Sequence, residues 1–248
     1  MTARDSGLGV QLYSVKDHLG DRTAATLQRL AELGFSHVEP YDILSDTAGL
    51  KAAAAGAGVR IASVHAKITE LDAEQVLDAA GELGASTVVI PWVAPATFSD
   101  PDGIARFADS VTHAADDAQS RGIRVGYHNH DFEFATIVDG RPAYELFVER
   151  LDPRVVLELD TFWASVGGAD VFELLPRLGE RVRLLHLKSE PYDDRHPITG
   201  VDVSERLDEV LALARPALEL PVVEVVVDGD VFPVLARNAR FFAERVAA

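Results

Sequence analysis

Short apolar runs rich in β-branched residues recur along the chain, and each is followed by a longer stretch with apolar residues at helical spacing and many Ala, Leu, Glu and Arg. That alternation predicts repeated βα units, and eight of them can be placed. The strands are expected at Gly9–Tyr13, His37–Pro40, Arg60–Val64, Thr87–Pro91, Arg124–His128, Val155–Asp160, Arg183–Leu187 and Pro221–Val227. The helices between them are expected at Thr23–Leu33, Thr47–Ala55, Ala73–Leu83, Pro101–Arg121, Pro142–Arg150, Asp170–Leu178, Ser204–Ala214 and Val231–Val246. Gly34, Gly84 and Gly122 follow three of these helices, where a left-handed C-cap leads into the next strand.

Eight evenly spaced βα units fit a closed barrel better than an open doubly wound sheet. The length of 248 residues is close to the ~250 of a (β/α)8 barrel. A dinucleotide-binding sheet needs a glycine fingerprint after its first strand, and Gly7-x-Gly9 stands before it, so that pair is read as a turn. No linker or low-complexity tract divides the chain. The fold class is therefore α/β, a single (β/α)8 TIM barrel spanning residues 1–248 as one domain.

In a barrel, inward side chains at the C-terminal ends of the strands converge on one mouth. Polar residues stand at those ends: Glu39, His65, His128 with His130, Glu158 with Asp160, His186 with Lys188, and Glu224. Asp160, His186 and Glu224 lie on three consecutive units and can offer oxygen, nitrogen and oxygen to one divalent ion. Packing alone is a poor account of all three, because two buried carboxylates without a cation carry a heavy desolvation cost. Strand alternation puts His128 and His130 on one side and turns Asn129 toward the helices. Glu133 lies past the strand, either over the site or in solvent. His65 and Glu39 face the same mouth, and Lys188 either binds a hydroxyl or phosphate or pairs with a carboxylate such as Glu158. Trp163, Phe132 and Phe134 are candidates to wall the pocket against water.

Composition narrows the chemistry. With no cysteine, any metal must be held by His, Asp or Glu, which favours Mn²⁺, Mg²⁺ or Co²⁺. A net charge of −17 repels phosphate backbones and anionic membranes, and no Lys/Arg cluster reverses it, so neither nucleic acid nor membrane is an expected partner. No signal-peptide core or membrane-length apolar run is seen, and a cytoplasmic location is expected.

Taken together, Gly9-Val-Gln-Leu-Tyr-Ser-Val15, Gly126-Tyr-His-Asn-His-Asp-Phe-Glu-Phe134, Leu159-Asp-Thr-Phe-Trp163, His186-Leu-Lys188 and Val223-Glu224 resemble the xylose-isomerase-like barrels of the sugar phosphate isomerase/epimerase family. The resemblance covers nearly the whole chain. It implies one divalent ion, Mn²⁺ first with Mg²⁺, Co²⁺ or Zn²⁺ as alternatives, bound by Glu, Asp, His and Glu from strands five to eight. Asp160, His186 and Glu224 match; strand five offers His128 or His130 where the better-known epimerases carry glutamate. His128 is assigned to the metal because it stands at the glutamate position, and His130 to acid/base work. The resemblance also admits a homo-oligomer.

The function expected from these residues is isomerisation or epimerisation of a small sugar, sugar phosphate, or keto-sugar or inositol derivative through a metal-stabilised enediolate. Glu224 and His130 would move the proton, while Glu39, His65, Lys188, Glu133 and Trp163 contact substrate. Loss of a β-substituent after the same proton abstraction would make the enzyme a lyase or dehydratase. An endonuclease would need more metals and a cationic groove, and a non-catalytic sugar-binding barrel would have no use for the ligand set.

Overall fold

The protein is described by a computed structural model covering residues 7–188 and 206–246. The strands are β1 (Gly9–Gln11), β2 (His37–Glu39), β3 (Ser63–His65), β4 (Thr87–Ile90), β5 (Arg124–His128), the short β6 (Ile137–Val138) and β7 (Arg141–Pro142), β8 (Val156–Asp160), β9 (Val182–Leu187) and β10 (Leu220–Val223). β6 and β7 pair as an antiparallel hairpin, while the other eight form one parallel sheet in the order β2-β1-β10-β9-β8-β5-β4-β3. Its two end strands are joined by a parallel bridge from His37 to Arg60, and the His65 N–H donates to Pro40 O at 2.8 Å. Eight parallel strands thus form a nearly closed (β/α)8 barrel.

The helices are α1 (Thr23–Glu32), α2 (Thr47–Ala57), α3 (Ala73–Leu83), α4 (Pro101–Gln119), the single-turn α5 (Phe132–Ala135), α6 (Ala143–Arg150), α7 (Thr161–Val166), α8 (Val171–Leu178), α9 (Leu207–Ala214) and α10 (Val231–Val246). Asp46, Asp72, Asp100 and Asp170 cap α2, α3, α4 and α8 by accepting first-turn N–H groups. Each such cap is worth about 1 kcal/mol. Gly34, Gly84 and Gly122 all take positive φ, as the sequence pattern requires.

Period-two alternation gives each barrel strand one face toward the helices and one toward the barrel interior. Val10, Val38, Val64, Val88, Val125, Leu157, Leu185 and Val223 belong to the large cluster under the helices. Val89, Leu184, Leu220 and Val222 form a separate small plug. It is tightly filled: a Cβ on Gly126 would stand 3.2 Å from Val156 and 3.3 Å from Val89. On the same strands, toward their C-terminal ends, the buried positions become polar: Gln11, Glu39, His65, His128, Glu158 and His186. Burying these groups costs free energy that only mutual pairing offsets, so stability does not explain them.

Some elements depart from the pattern. β1 stops at Gln11, whose side chain accepts the Tyr13 N–H and starts a 3-10 turn over Leu12–His18. β3 begins at Ser63 rather than Arg60, and β10 ends at Val223 rather than Val227. α5, α7 and the β6/β7 hairpin are unpredicted, since runs this short carry no readable periodicity. Residues 189–205, with Ser204 at the expected start of the seventh helix, lie outside the described residues. Among the described residues no helix is long and apolar enough to cross a membrane.

Candidate active site

The deepest polar layer is a ring of two carboxylates and two imidazoles. His65 Nε2 lies 3.0 Å from Glu39 Oε1 and 2.7 Å from Glu158 Oε2. His186 Nε2 lies 2.9 Å from the same Glu39 oxygen and 3.3 Å from the same Glu158 oxygen. Gln11 Nε2 donates to Glu39 Oε1 at 2.9 Å, and Ser63 Oγ donates to Glu39 Oε2. Burial pushes the Glu39 carboxyl up, but His65 and His186 outweigh it and hold the group well below the usual range. Burial also raises Glu158, with repulsion from Glu39 added, to about 7. His65 rises to about 9, since its two carboxylate partners overcome desolvation.

Toward the mouth, β9 and β10 bring Lys188 and Glu224 beside Asp160. Asp160 Oδ1 accepts the Trp163 N–H at 2.9 Å and so caps α7. Its other oxygen accepts from Lys188 Nζ, which also lies 3.2 Å from Glu224 Oε2. His186 Nδ1 is 3.3 Å from that Glu224 oxygen. Burial pushes Glu224 up, but Lys188 and His186 reverse this and hold it far below the ordinary carboxylate range. Donor atoms of His128, Asp160, His186 and Glu224 all lie within 4.8 Å of one another. Two carboxylates and two imidazoles, all buried, suit a divalent ion, which would take over carboxylate contacts now made by the Lys188 ammonium.

At the end of β5 the alternation holds. His128 and His130 have ring centres 5.1 Å apart and both face the cavity, whereas Asn129 exchanges hydrogen bonds with the Asp160 backbone at 3.0 and 3.1 Å. His130 stacks on Phe132 at 5.9 Å, and its Nδ1 has no partner among the described residues. Burial lowers its pKa, so the ring is neutral at ordinary pH. Phe134 packs instead against Tyr144.

The mouth opens into a cavity of about 320 Å³ lined by Gln11, Tyr13, Tyr41, His65, Pro91, Trp92, His128, His130, Trp163 and Glu224. Three residues expected to touch substrate lie behind that wall. Glu39 is spent on the ring beneath, Lys188 on Asp160 and Glu224 rather than Glu158, and Glu133 on the Tyr127 hydroxyl at 2.7 Å and the His130 N–H at 2.9 Å. Glu133 is thus fully buried, neither over the site nor in solvent. The sequence reading missed Gln11, Tyr13, Tyr41 and Trp92 on the wall and Glu158 as a donor. Glu158 had a usable signal: two residues before Asp160 on one strand, it must share its face.

A model of the xylose isomerase-like TIM barrel family matches residues 27–210. The chain belongs to that family. Among relatives of this xylose isomerase-like barrel, the inosose dehydratase of Geobacillus kaustophilus is 33% identical over 114 residues, 46% of this chain and 35% of that protein. The match therefore spans about a third of the relative's length. A sugar phosphate isomerase/epimerase from Parabacteroides distasonis superposes with a TM-score of 0.82 at 23% identity, covering 98% of this chain and 96% of that one. The probable 3-DHS dehydratase of Bacillus anthracis gives 0.72 at 13%, covering 96% and 99%. At such identities the two structures speak for the fold alone.

Proposed function

We propose that this protein is a divalent-metal-dependent isomerase or epimerase of a small sugar, sugar phosphate, or keto-sugar or inositol derivative, working by proton transfer next to a carbonyl. One observation carries the reading: the buried four-donor set of His128, Asp160, His186 and Glu224 reaches a small cavity through His128 and Glu224, and His130 lines that same cavity. His128, Asp160, His186 and Glu224 would hold the ion. When bound, it supplies Lewis acidity to the substrate's carbonyl and neighbouring hydroxyl, which makes the adjacent C–H more acidic.

The chain's own groups do the rest. Glu224, kept ionised by Lys188 and His186, takes the proton and in an isomerisation returns it to the neighbouring carbon. In an epimerisation His130, neutral at rest, first takes up a proton from solvent and delivers it to the opposite face. Glu133 anchors His130 through its backbone N–H. Tyr13, Tyr41, Trp92 and Trp163 offer ring faces to the C–H surface of a sugar and exclude water.

A dehydratase is the second reading, favoured by the 33% identity to an inosose dehydratase. There the same proton removal is followed by departure of a β-hydroxyl as water. Both are tested by incubating Mn²⁺-loaded protein in D₂O with ketoses, keto-sugars and inositol-like ketones. Deuterium at an α-carbon with unchanged formula supports isomerisation, and loss of water supports dehydration. His130→Ala should lower kcat by roughly 10²–10⁴-fold. Absence of both exchange and dehydration with every compound, despite bound metal, sinks the proposal.

A further inference from the structure

Two residues back along β8, a second donor set lies beneath the first. His65 Nε2, Glu39 Oε1, His186 Nε2 and Glu158 Oε2 alternate around a ring whose four edges measure 3.0, 2.9, 3.3 and 2.7 Å. His128 Nδ1 approaches the same Glu158 oxygen at 3.1 Å. Each histidine has a single Nε2 position, yet each faces two carboxylate oxygens, so hydrogen bonds satisfy at most half the edges well. Glu158 Oε1 is buried and has no partner among the described residues. Arranged as a flat square, four donors with edges near 3 Å would stand about 2 Å from a common centre, the length of a Zn–N or Zn–O bond.

We propose that this ring is a divalent transition-metal position distinct from the His128, Asp160, His186, Glu224 set, and that the first ion to bind enters here. Two facts order the two positions. In the upper set both carboxylates are held by the Lys188 ammonium, a side chain that an ion must push aside, whereas in the lower ring the carboxylates face imidazoles that become ligands themselves once a proton leaves. In the lower one three imidazole nitrogens converge on Glu158, and the donor set of His65, His128, Glu158 and His186 closes within 4.8 Å. Such an imidazole-rich set selects Zn²⁺ or Co²⁺ over Mg²⁺. His65 and His128 line the cavity, which gives an ion its route in. His186 serves both positions, presenting Nε2 below and Nδ1 above.

The test is titration of the whole metal-free protein with Co²⁺, read by visible absorption and a chelator competition, independent of any reaction. Wild type should bind the first equivalent with the strong absorption of a four- or five-coordinate, nitrogen-rich site, undisplaced by excess Mg²⁺. Glu158→Gln and His65→Gln should weaken that equivalent at least about 100-fold, whereas Asp160→Asn and Glu224→Gln should change it less than about 10-fold. Thermal melting of each metal-free variant separates lost ligation from lost folding, and X-ray absorption on wild type counts imidazoles should a variant not fold. The reverse pattern, with Asp160→Asn abolishing the first equivalent and Glu158→Gln leaving it, overturns the inference while leaving the proposed function standing. Binding as described without deuterium exchange does the opposite.

Discussion

Glu133 occupies a position where burial, rather than a partner's charge, governs a side chain. Desolvation raises its carboxyl to about 7 from an ordinary 4.5, against the opposing hydrogen bonds from Tyr127 and His130. Between those values the folded chain keeps a proton that the unfolded chain has released, so stability falls as pH rises through that window, by roughly 3 kcal/mol at most. Glu133→Gln can still accept the His130 N–H and can donate to Tyr127, and it does not titrate. Urea denaturation at pH 5 and pH 8 should show both proteins losing stability at the higher pH, since Glu158 and His65 are also raised, with the variant losing less than the wild type. An equal loss in both would place the pH dependence elsewhere. The shared face of His128 and His130 was legible, because period two is a property of any strand. The inward turn of Glu133 was not, since it depends on the single turn of α5 folding over Tyr127.

Two helical glycines separate the demands of an element from those of its packing. Gly56 is exposed in α2 with nothing within 4 Å of an added Cβ, so Gly56→Ala should stabilise by about 0.5–1 kcal/mol through helix propensity. Gly167 ends α7, where an added Cβ would stand 2.3 Å from Asp131 O and 2.7 Å from Phe134 Cβ. Gly167→Ala should therefore destabilise by about 1–3 kcal/mol. Calorimetric Tm values should move in opposite directions, and a rise for both would contradict this account of α7 packing on the segment before α5. The eight barrel strands, some only three residues long, were readable because each apolar β-branched run alternates with a helix long enough to show its period. α5, α7 and the β6/β7 hairpin are built of pieces two to six residues long and are held by neighbouring elements, α5 by α6, α7 by β9 and the hairpin by α5 and α6.

Across the whole molecule the barrel separates support from chemistry. At the N-terminal end Arg124 on β5 reaches past β8 and β9 to Glu219, which leads into β10, making paired hydrogen bonds at 2.8 and 2.6 Å, with Arg183 3.8 Å away. The pair is half-exposed, so Glu219→Gln should cost no more than about 1 kcal/mol, less at high salt, and leave turnover unchanged. His130→Ala should do the reverse, and a Glu219 variant that abolished turnover with its Tm intact would contradict the separation. The sequence by itself determined the barrel, the inward direction of Glu39, His65, His128, His186 and Glu224, and the absence of any thiolate ligand. These follow from period two, element count and composition, which are properties of single segments. Only the tertiary structure decided that Glu158 joins His65 and His186, that Lys188 goes to Asp160 and Glu224, and that Glu39 lies behind the cavity wall. Such pairings depend on the stagger between neighbouring strands, which sets the level each side chain occupies and is encoded in no one strand.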